Sequence, residues 1–173
     1  MNLIGISGKI GSGKDLLSEK IFAYLASKQI KYEHLKFAAG LKQVASILTG
    51  GDLEDQYSDQ GKEKMIDELG MTNGTLQQIL GTILRENLHP DIWIFQVLRF
   101  VKENADTVCV ISDCRFKNEA NLVKENGGVI IRLNRQNRNI GNRDPNHISE
   151  TDLDTYEDFD LVIDNDGIVD EMV

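Results

Sequence analysis

The sequence predicts an α/β fold of three layers, in which helices cover both faces of a five-stranded parallel sheet. Short apolar runs rich in β-branched residues alternate with longer stretches of helical periodicity, a pattern typical of parallel strands buried on both faces. The chain has 173 residues, which suits one domain around one hydrophobic core. Strands are expected near residues 2–7, 32–37, 107–112, 128–133 and 160–164, and helices near 14–28, 39–48, 75–87, 91–104 and 116–126.

A glycine-rich segment with the spacing G-x-x-x-x-G-K directly follows the first strand and precedes a helical stretch. In this context glycines let backbone N–H groups turn toward phosphate oxygens, and the helix start adds partial positive charge. The lysine of the motif can reach the terminal phosphates of a nucleotide. A glycine-rich turn that only joins strand to helix is the alternative. The predicted phosphate-binding residues are Gly8, Lys9, Gly11, Ser12, Gly13, Lys14 and Asp15.

Asp15 stands where a Ser or Thr hydroxyl usually meets Mg²⁺ in such a loop. A carboxylate is a suitable hard-oxygen ligand for Mg²⁺, directly or through a water molecule. It is also a favourable charge in the first turn of a helix. We therefore predict that Asp15 places a magnesium ion that accompanies ATP.

A long, mostly polar and helical insertion, about residues 49–100, separates the second strand from the third. The apolar stripe of its main helix is expected to face the core and to leave a polar face at helical spacing. Gly81 within that helix indicates a close approach by a ligand or by neighbouring backbone. The stripe consists of Leu76, Ile79, Leu80 and Ile83, and the polar face of Gln78, Thr82 and Arg85.

Trp93 lies in Pro90-Asp91-Ile92-Trp93, where the next helix is expected to begin. A tryptophan at such a position is more often a core anchor than a platform on which a base stacks. We keep the core interpretation ahead and retain the stacking role as the alternative.

Asp113 stands at the carboxyl end of the third strand, and Arg115 follows two residues later. Proteins with a phosphate-binding loop often keep a second carboxylate, linked to Mg²⁺ or to water, at this strand end. A guanidinium can bind a phosphate of the second substrate through two hydrogen bonds. The alternative is an ordinary ion pair between these two side chains.

The fourth strand leads into an irregular segment, about residues 135–149, in which Asn, Arg, Gly and one proline crowd together. Loops of this length in compact domains are usually functional or disordered. We expect a short arginine-rich lid whose Arg135, Arg138 and Arg143 clamp the charge of a transferring phosphoryl group. A solvated loop with incidental charge is the alternative. Ser149 is expected to cap a helix that begins at Glu150.

Bulk properties exclude several kinds of partner. The net charge of −9 argues against DNA or RNA bound over a broad surface. No apolar stretch approaches the roughly 20 residues of a membrane span, and we expect no secretion signal. Cys109 and Cys114 lack the neighbours of a zinc site, which favours incidental thiols in a reducing cytoplasm.

Taken in order, these segments resemble the deoxynucleoside monophosphate kinases of the type encoded by bacteriophages, a branch of the P-loop nucleoside-monophosphate kinases. The resemblance runs nearly end to end, except for about residues 50–70. It rests on the Gly8–Asp15 loop, Leu76-Gln77-Gln78 with Gly81-Thr82, Trp93, Asp113 to Ala120, Gly127-Gly128 with Arg132 and Arg135, His147 to Thr151, and Ile163 to Gly167.

The resemblance implies a P-loop NTPase fold and transfer of the γ-phosphate of ATP, with Mg²⁺, to a deoxynucleoside monophosphate. It implies a single kinase domain with its core in about residues 1–48, 101–134 and 150–173, an acceptor-binding insertion in 49–100 and a lid in 135–149. The chain would be a monomer or a homodimer in the cytoplasm, the host cytoplasm if a phage encodes it.

The resemblance also assigns roles to individual residues. Lys14, Asp15, Arg115, Arg135 and Arg138 would be catalytic, and Asp15 and Asp113 would hold the metal. Arg135, Asn165 and Gly167 would bind ATP together with the loop. The acceptor would be bound by Lys42, Gln78, Arg85, Trp93, Asp113, Arg115, Arg143 and Glu150.

Three rivals stay open. A kinase of phosphomevalonate can share the Gly-Lys-Asp loop ending, and a dephospho-coenzyme A kinase resembles this loop up to Lys14. A nucleotide-binding switch or assembly protein without turnover is the third, although it would not need three arginines in a mobile cover. Hydrogen-bonding and stacking partners near Gln78, Arg85 and Trp93 would favour a nucleobase over a small aliphatic phosphate.

Overall fold

A computed structural model describes residues 2–136 and 146–166. Within them the chain forms two compact units, one comprising residues up to Lys36 and from Arg99 onward, the other Phe37–Leu98. The second unit begins before the predicted insertion at about 49, because the helix that precedes residue 49 packs on later helices of the same unit.

The first unit contains the predicted five-stranded parallel sheet, with the order β2-β5-β1-β6-β7. The glycine-rich segment follows the central strand, so strands on both sides flank it. The strands are β1 (Leu3–Gly8), β2 (Tyr32–Leu35), β5 (Val108–Cys114), β6 (Val129–Asn134) and β7 (Leu161–Asp164), numbered with the short strands of the second unit.

The same unit contains helices, two of which pack against the strands of this sheet, and a short turn. The helices are α1 (Lys14–Ser27), α7 (Lys117–Glu125) and α8 (Ile148–Thr151), and a 3-10 turn at Asp152–Thr155 continues α8. Ile6, Val110 and Leu133 from three adjacent strands pack with Leu17 and Leu25 of α1. This apolar contact stabilises the start of α1 against the end of β1, which is where the glycine-rich segment lies.

The second unit is mostly helical, as predicted, but also contains a small hairpin. Its elements are α2 (Ala39–Thr49), α3 (Leu53–Tyr57), α4 (Asp59–Glu63), β3 (Met65–Ile66), β4 (Met71–Thr72), α5 (Asn73–Asn87) and the start of α6 (Phe95–Glu103). The antiparallel pairing of β3 with β4 was not predicted. It lies at the edge of the region, about 50–70, for which the sequence offered no family resemblance.

Buried amide groups join α3 and α4 to the start of α5. Gln56, with 0% of its surface exposed, donates from Nε2 to Asn73 Oδ1 at 3.2 Å, and Gln77 Nε2 donates to Gln56 Oε1 at 2.8 Å. Asn73 Nδ2 in turn donates to the Gly61 carbonyl at 2.9 Å. Buried polar side chains that satisfy one another in this way specify a single arrangement of these short helices.

Two helix boundaries in this unit differ from the prediction. Helix α5 begins at Asn73 because the Thr72 hydroxyl caps it by accepting from the Thr75 N–H at 3.2 Å. The predicted helix from residue 91 begins instead at Phe95. The preceding residues form turns, with the Ile94 N–H donating to the Asp91 carbonyl at 2.8 Å.

The predicted apolar stripe of α5 is only partly in the core. Leu76 is buried and Leu80 is half-buried, but Ile79 and Ile83 are 37% and 48% exposed. The expectation that apolar side chains of this helix are all used by the core is therefore wrong for these two residues.

Among the described residues, none of the helices combines the length and the apolar character needed to span a membrane.

Candidate active site

The glycine-rich segment forms a tight loop between the end of β1 and the start of α1. The Ser12 N–H donates to the Lys9 carbonyl at 3.2 Å, and Gly11 and Gly13 have φ values of 71° and 98°. Gly13 is the N-cap residue of α1, so the first N–H groups of that helix face the loop. These are the features of an anion-binding loop at a helix start.

Glycine is required at Gly8 and Gly13 for reasons of space. A Cβ at Gly8 would lie 2.4 Å from Ser12 Oγ and 2.8 Å from the Leu133 carbonyl oxygen. A Cβ at Gly13 would lie 2.5 Å from Asn165 Nδ2, and its backbone is in the left-handed region that other residues rarely adopt. The loop is thus packed closely against the strand ends around it.

Asn165 connects the end of β7 to the loop. Its amide Nδ2 donates to the Ser12 carbonyl at 2.8 Å, and the residue is only 6% exposed. Its own N–H donates to the Asn134 carbonyl at 2.8 Å. The predicted ATP-binding residue Asn165 therefore holds the backbone of the loop in place.

Lys14 lies against the loop and is 9% exposed. Its Nζ donates to the carbonyls of Gly8, at 2.7 Å, and Lys9, at 2.9 Å. Burial, and after it the positive charge of Arg115, lower the pKa of Lys14 from 10.5 to about 8. A bound polyphosphate would offset both effects, because negative charge favours the ammonium form.

The carboxylate of Glu150 joins Arg115 to the loop. Glu150 Oε2 accepts from the Ile10 N–H at 2.8 Å, and Glu150 Oε1 accepts from Arg115 Nη1. The Glu150 side chain is 8% exposed. Arg115 Nη1 also donates to the Ser149 carbonyl at 3.4 Å. The predicted phosphate-binding arginine is therefore held close to the predicted phosphate-binding loop by an internal acid.

Glu119 fixes the backbone that carries Arg115. It is 2% exposed, and its Oε2 accepts from the N–H groups of Arg115, at 2.8 Å, and Phe116, at 3.1 Å. Sequence reasoning missed this role. The position of an acid three residues after Phe116, at the start of a helix, was the available signal.

We call residues 148–155, which comprise α8 and the 3-10 turn, the acidic segment. Its Asp152 Oδ2 accepts from the Lys117 N–H at 2.7 Å. Its Asp154 pairs with Lys9 at 2.6 Å and with Arg132 at 3.2 Å. These contacts were not predicted, although acids at alternate positions 150, 152 and 154 gave a sequence signal.

The start of α8 corrects one prediction. The expected cap residue Ser149 lies inside the helix, which begins at Ile148. His147 is the cap, since its Nδ1 accepts from the Ser149 N–H at 3.2 Å.

Two carboxylates predicted to hold the metal lie near His34. Burial and the positive charge of Lys36 lower the pKa of His34. The negative charges of Asp113 and Asp15 act on the same ring in the opposite direction. His34 Nε2 is hydrogen-bonded to Ser112 Oγ at 2.7 Å. Within the described ranges no three acidic, histidine or cysteine side chains come together as a metal cage. Mg²⁺ keeps several waters and binds substrate phosphates, so it does not require a cage of three protein side chains.

A cavity of about 320 Å³ opens beside the loop. Arg135, predicted to be catalytic and to bind ATP, lies on its wall, and so does Lys9 of the loop. Asp166 on the same wall accepts from the Gln136 N–H at 2.7 Å. The other lining residues are Arg132, Leu133, Asn134 and Asp164.

The predicted acceptor-binding residues Lys42, Gln78, Arg85 and Trp93 lie in the second unit. Trp93 is 6% exposed and its Nε1 donates to the Gly81 carbonyl at 3.4 Å, which agrees with its expected role as a core anchor. Lys42 Nζ lies 3.8 Å from the centre of the Tyr57 ring. Gln78 is exposed and Arg85 is half-buried.

Three predicted site residues, Arg138, Arg143 and Gly167, lie outside the described residues.

A family model and a relative with a similar sequence indicate the same protein family. Residues 52–173 match the family described as deoxynucleotide monophosphate kinase. A protein of Acanthamoeba polyphaga mimivirus, whose name assigns it provisionally to the deoxynucleotide monophosphate kinases, is 30% identical over 185 residues, covering 99% of this chain and 92% of that protein. Among solved structures, shikimate kinase from Bacteroides thetaiotaomicron aligns with 98% of this chain and 93% of its own, with a TM-score of 0.40 and 11% identity.

Proposed function

We propose a donor, an acceptor and a set of working residues for this chain, which belongs to the deoxynucleotide monophosphate kinase family and is a phosphotransferase acting on nucleotides. The donor is ATP and the acceptor is a deoxynucleoside monophosphate. The γ-phosphate passes from ATP to the acceptor's phosphate, and the products are ADP and the deoxynucleoside diphosphate.

One observation supports this reaction above the others. The loop after β1 has its glycines in left-handed conformations, Lys14 buried against it, and Arg115 held beside it through Glu150. Phosphoryl transfer requires little covalent chemistry from a protein, because positioning and charge stabilisation do most of the work. A loop of amide groups with a lysine and an arginine at its mouth supplies both.

We assign the donor to the loop and the cavity beside it. The amides of residues 11–15 and the Lys14 ammonium bind the donor phosphates. The nucleoside of ATP occupies the cavity near Arg135 and Asp166, and Asn165 keeps the loop open by fixing the Ser12 carbonyl. Lys14 follows the phosphoryl group and stabilises the charge that develops on its oxygens.

We assign the acceptor phosphate to Arg115. Arg85 is a second candidate for the acceptor phosphate, and Lys42, Gln78 and Trp93 are further candidate residues for binding the acceptor. Arg138 and Arg143 are proposed to close over the transferring group, where the exclusion of water prevents hydrolysis of ATP.

Asp15 and Asp113 are the residues proposed to hold Mg²⁺. When bound, this ion neutralises charge on the donor phosphates and orients them. The hydrogen bond between His34 and Ser112 fixes the end of β5, where Asp113 lies. We further propose a cytoplasmic location and small-molecule substrates, without a nucleic acid polymer.

The test is a coupled assay for ADP formation with the four common deoxynucleoside monophosphates. Phosphomevalonate and dephospho-coenzyme A serve as rival acceptors in parallel reactions. ADP formation with at least one deoxynucleotide, and with neither rival, is expected. Lys14→Ala is expected to abolish the activity.

Two results would contradict the proposal. A lack of ADP with every acceptor would leave a nucleotide-binding protein without turnover. Preferred use of one of the two rivals would assign the chain to a different acceptor. For the metal, Asp15→Ala with unchanged dependence on Mg²⁺ would remove Asp15 from its proposed role.

A further inference from the structure

The position of the Glu150 carboxylate between the loop and Arg115 has no explanation in ordinary helix capping. One oxygen accepts from the Ile10 N–H at 2.8 Å and the other accepts from Arg115. An anion is thus bound by the amide next to residues 11–15, whose amides are proposed to bind the donor phosphates, and by the guanidinium that is proposed to bind the acceptor phosphate. The Glu150 side chain is 8% exposed, so water competes little for these contacts.

From this geometry we propose that Glu150 is a placeholder for the transferring phosphoryl group. Its carboxylate occupies the phosphate position when nucleotide is absent and leaves that position when nucleotide binds. The inference rests on the proposed function, since it takes the phosphate position from that reaction. It gives Glu150 a role different from the acceptor contact that the family resemblance implied.

The surroundings of the carboxylate support an exchange of one anion for another. Lys14 donates to the carbonyls of Gly8 and Lys9, so this cation, like Arg115, is held by groups of the chain itself. A phosphate oxygen can accept from the Ile10 N–H and from Arg115 as a carboxylate oxygen does. Because both anions cannot occupy one position, the nucleotide must displace Glu150.

The acidic segment is anchored by contacts that do not involve Glu150. Asp154 pairs with Lys9 and Arg132, and Asp152 accepts from the Lys117 N–H. These contacts can persist while the Glu150 side chain rotates away. The placeholder thereby keeps Arg115 near the loop until phosphate replaces the carboxylate, so that donor binding releases the arginine for the acceptor.

Displacement reduces the apparent affinity for phosphate ligands, because only the fraction of molecules with an open site can bind. Glu150→Gln removes the charge while preserving the shape of the side chain. We expect it to lower the dissociation constants of ADP and of inorganic pyrophosphate by about tenfold, which corresponds to about 1.4 kcal/mol. Adenosine, which lacks phosphate, should bind equally to both proteins.

Isothermal titration calorimetry with ADP, pyrophosphate and adenosine measures these constants without turnover. Asp152→Asn is the matched control, because it removes a carboxylate from the same segment at a contact that does not involve the loop. It should leave all three constants unchanged. Glu150→Asp is the second variant, since its shorter side chain keeps the charge but cannot reach both Ile10 and Arg115.

Tighter binding of ADP and pyrophosphate, but not of adenosine, by either Glu150 variant supports the placeholder. Unchanged or weaker phosphate binding by both variants would overturn it, as would an equal effect on adenosine. Failure of the proposed function is a separate result, because wild-type protein that binds ADP but forms no product would leave the calorimetric comparison intact. Wild-type protein that binds neither ADP nor pyrophosphate would overturn both.

Discussion

Burial of Lys14 predicts that the stability of the nucleotide-free protein rises with pH. The side chain is 9% exposed, and its pKa is lowered from 10.5 to about 8, chiefly by burial. Below pH 8 the folded protein must keep a desolvated ammonium, whereas the unfolded chain keeps a hydrated one. Between pH 8 and 10.5 the unfolded chain binds more protons, so the free energy of unfolding increases with pH.

The magnitude follows from the difference between the two pKa values. One pKa unit corresponds to about 1.36 kcal/mol, so the charged form costs about 3 kcal/mol of stability at neutral pH. About 2 kcal/mol of this cost should disappear between pH 7 and pH 9.5. Removing the ammonium by Lys14→Met should abolish the effect, although it also removes the hydrogen bonds to Gly8 and Lys9.

Urea unfolding of the wild type and of Lys14→Met at the two pH values measures the difference. The wild type should gain stability relative to the variant by about 2 kcal/mol on going to the higher pH. Lys124→Met is the control of opposite sign, because the hydrogen bond with Asp160 raises the pKa of Lys124. Its stabilising contribution should persist through both pH values and fall only above pH 10.5. A constant difference between the wild type and Lys14→Met would refute the argument that the ammonium is desolvated.

Two further predictions concern Gly13 in the loop and Asn165, which holds the loop backbone. Gly13→Ala should lower the free energy of unfolding by about 2–3 kcal/mol, from strain at positive φ and displacement of the Asn165 amide. Gly50→Ala is the control, because φ is 63° there but no atom lies within 4 Å of the new Cβ. Urea unfolding of this variant should show the cost of backbone strain alone. An equal loss of unfolding free energy in the two variants would contradict the steric argument. Asn165→Asp replaces the donor to the Ser12 carbonyl with a negative charge and should raise the dissociation constant of ADP more than Asn165→Ala does. Calorimetry separates the two variants, and equal affinities would mean that the charge at this position is remote from the phosphates.

The sheet and the loop could be predicted because their signals are local. Five apolar runs, each close to the observed strand, alternate with helical periodicity, and parallel strands need such crossovers. The position of Asp113 and Arg115 beside the loop followed from the same rule, since carboxyl ends of neighbouring parallel strands share one edge. Here β5 pairs directly with β1, the strand that leads into the loop.

Helix boundaries and exposed faces could not be predicted so well, because they depend on partners distant in sequence. The sequence places Asn73 in a turn, but Thr72 caps α5, and hydrogen bonds with Gln56 and Gly61 fix the Asn73 side chain at the start of that helix. The apolar stripe of α5 predicts which side chains can be buried, but it does not predict how much of that stripe neighbouring elements cover. Ile79 and Ile83 are therefore apolar yet exposed.

The contacts of the acidic segment were missed for an electrostatic reason. Acidic residues are frequent from Asp144 onward, directly after the arginines of residues 132–143, but the sequence does not show which acid pairs with which cation. In the structure Asp154 neutralises Lys9 and Arg132, and Glu150 does the same for Arg115. A net charge of −9 is thus compatible with a local site for the phosphates of a nucleotide, because a small ligand interacts with the local arrangement of donors. Asp154 and Glu150 hold these cations in place in the absence of substrate, and the proposed exchange replaces only the Glu150 carboxylate with phosphate.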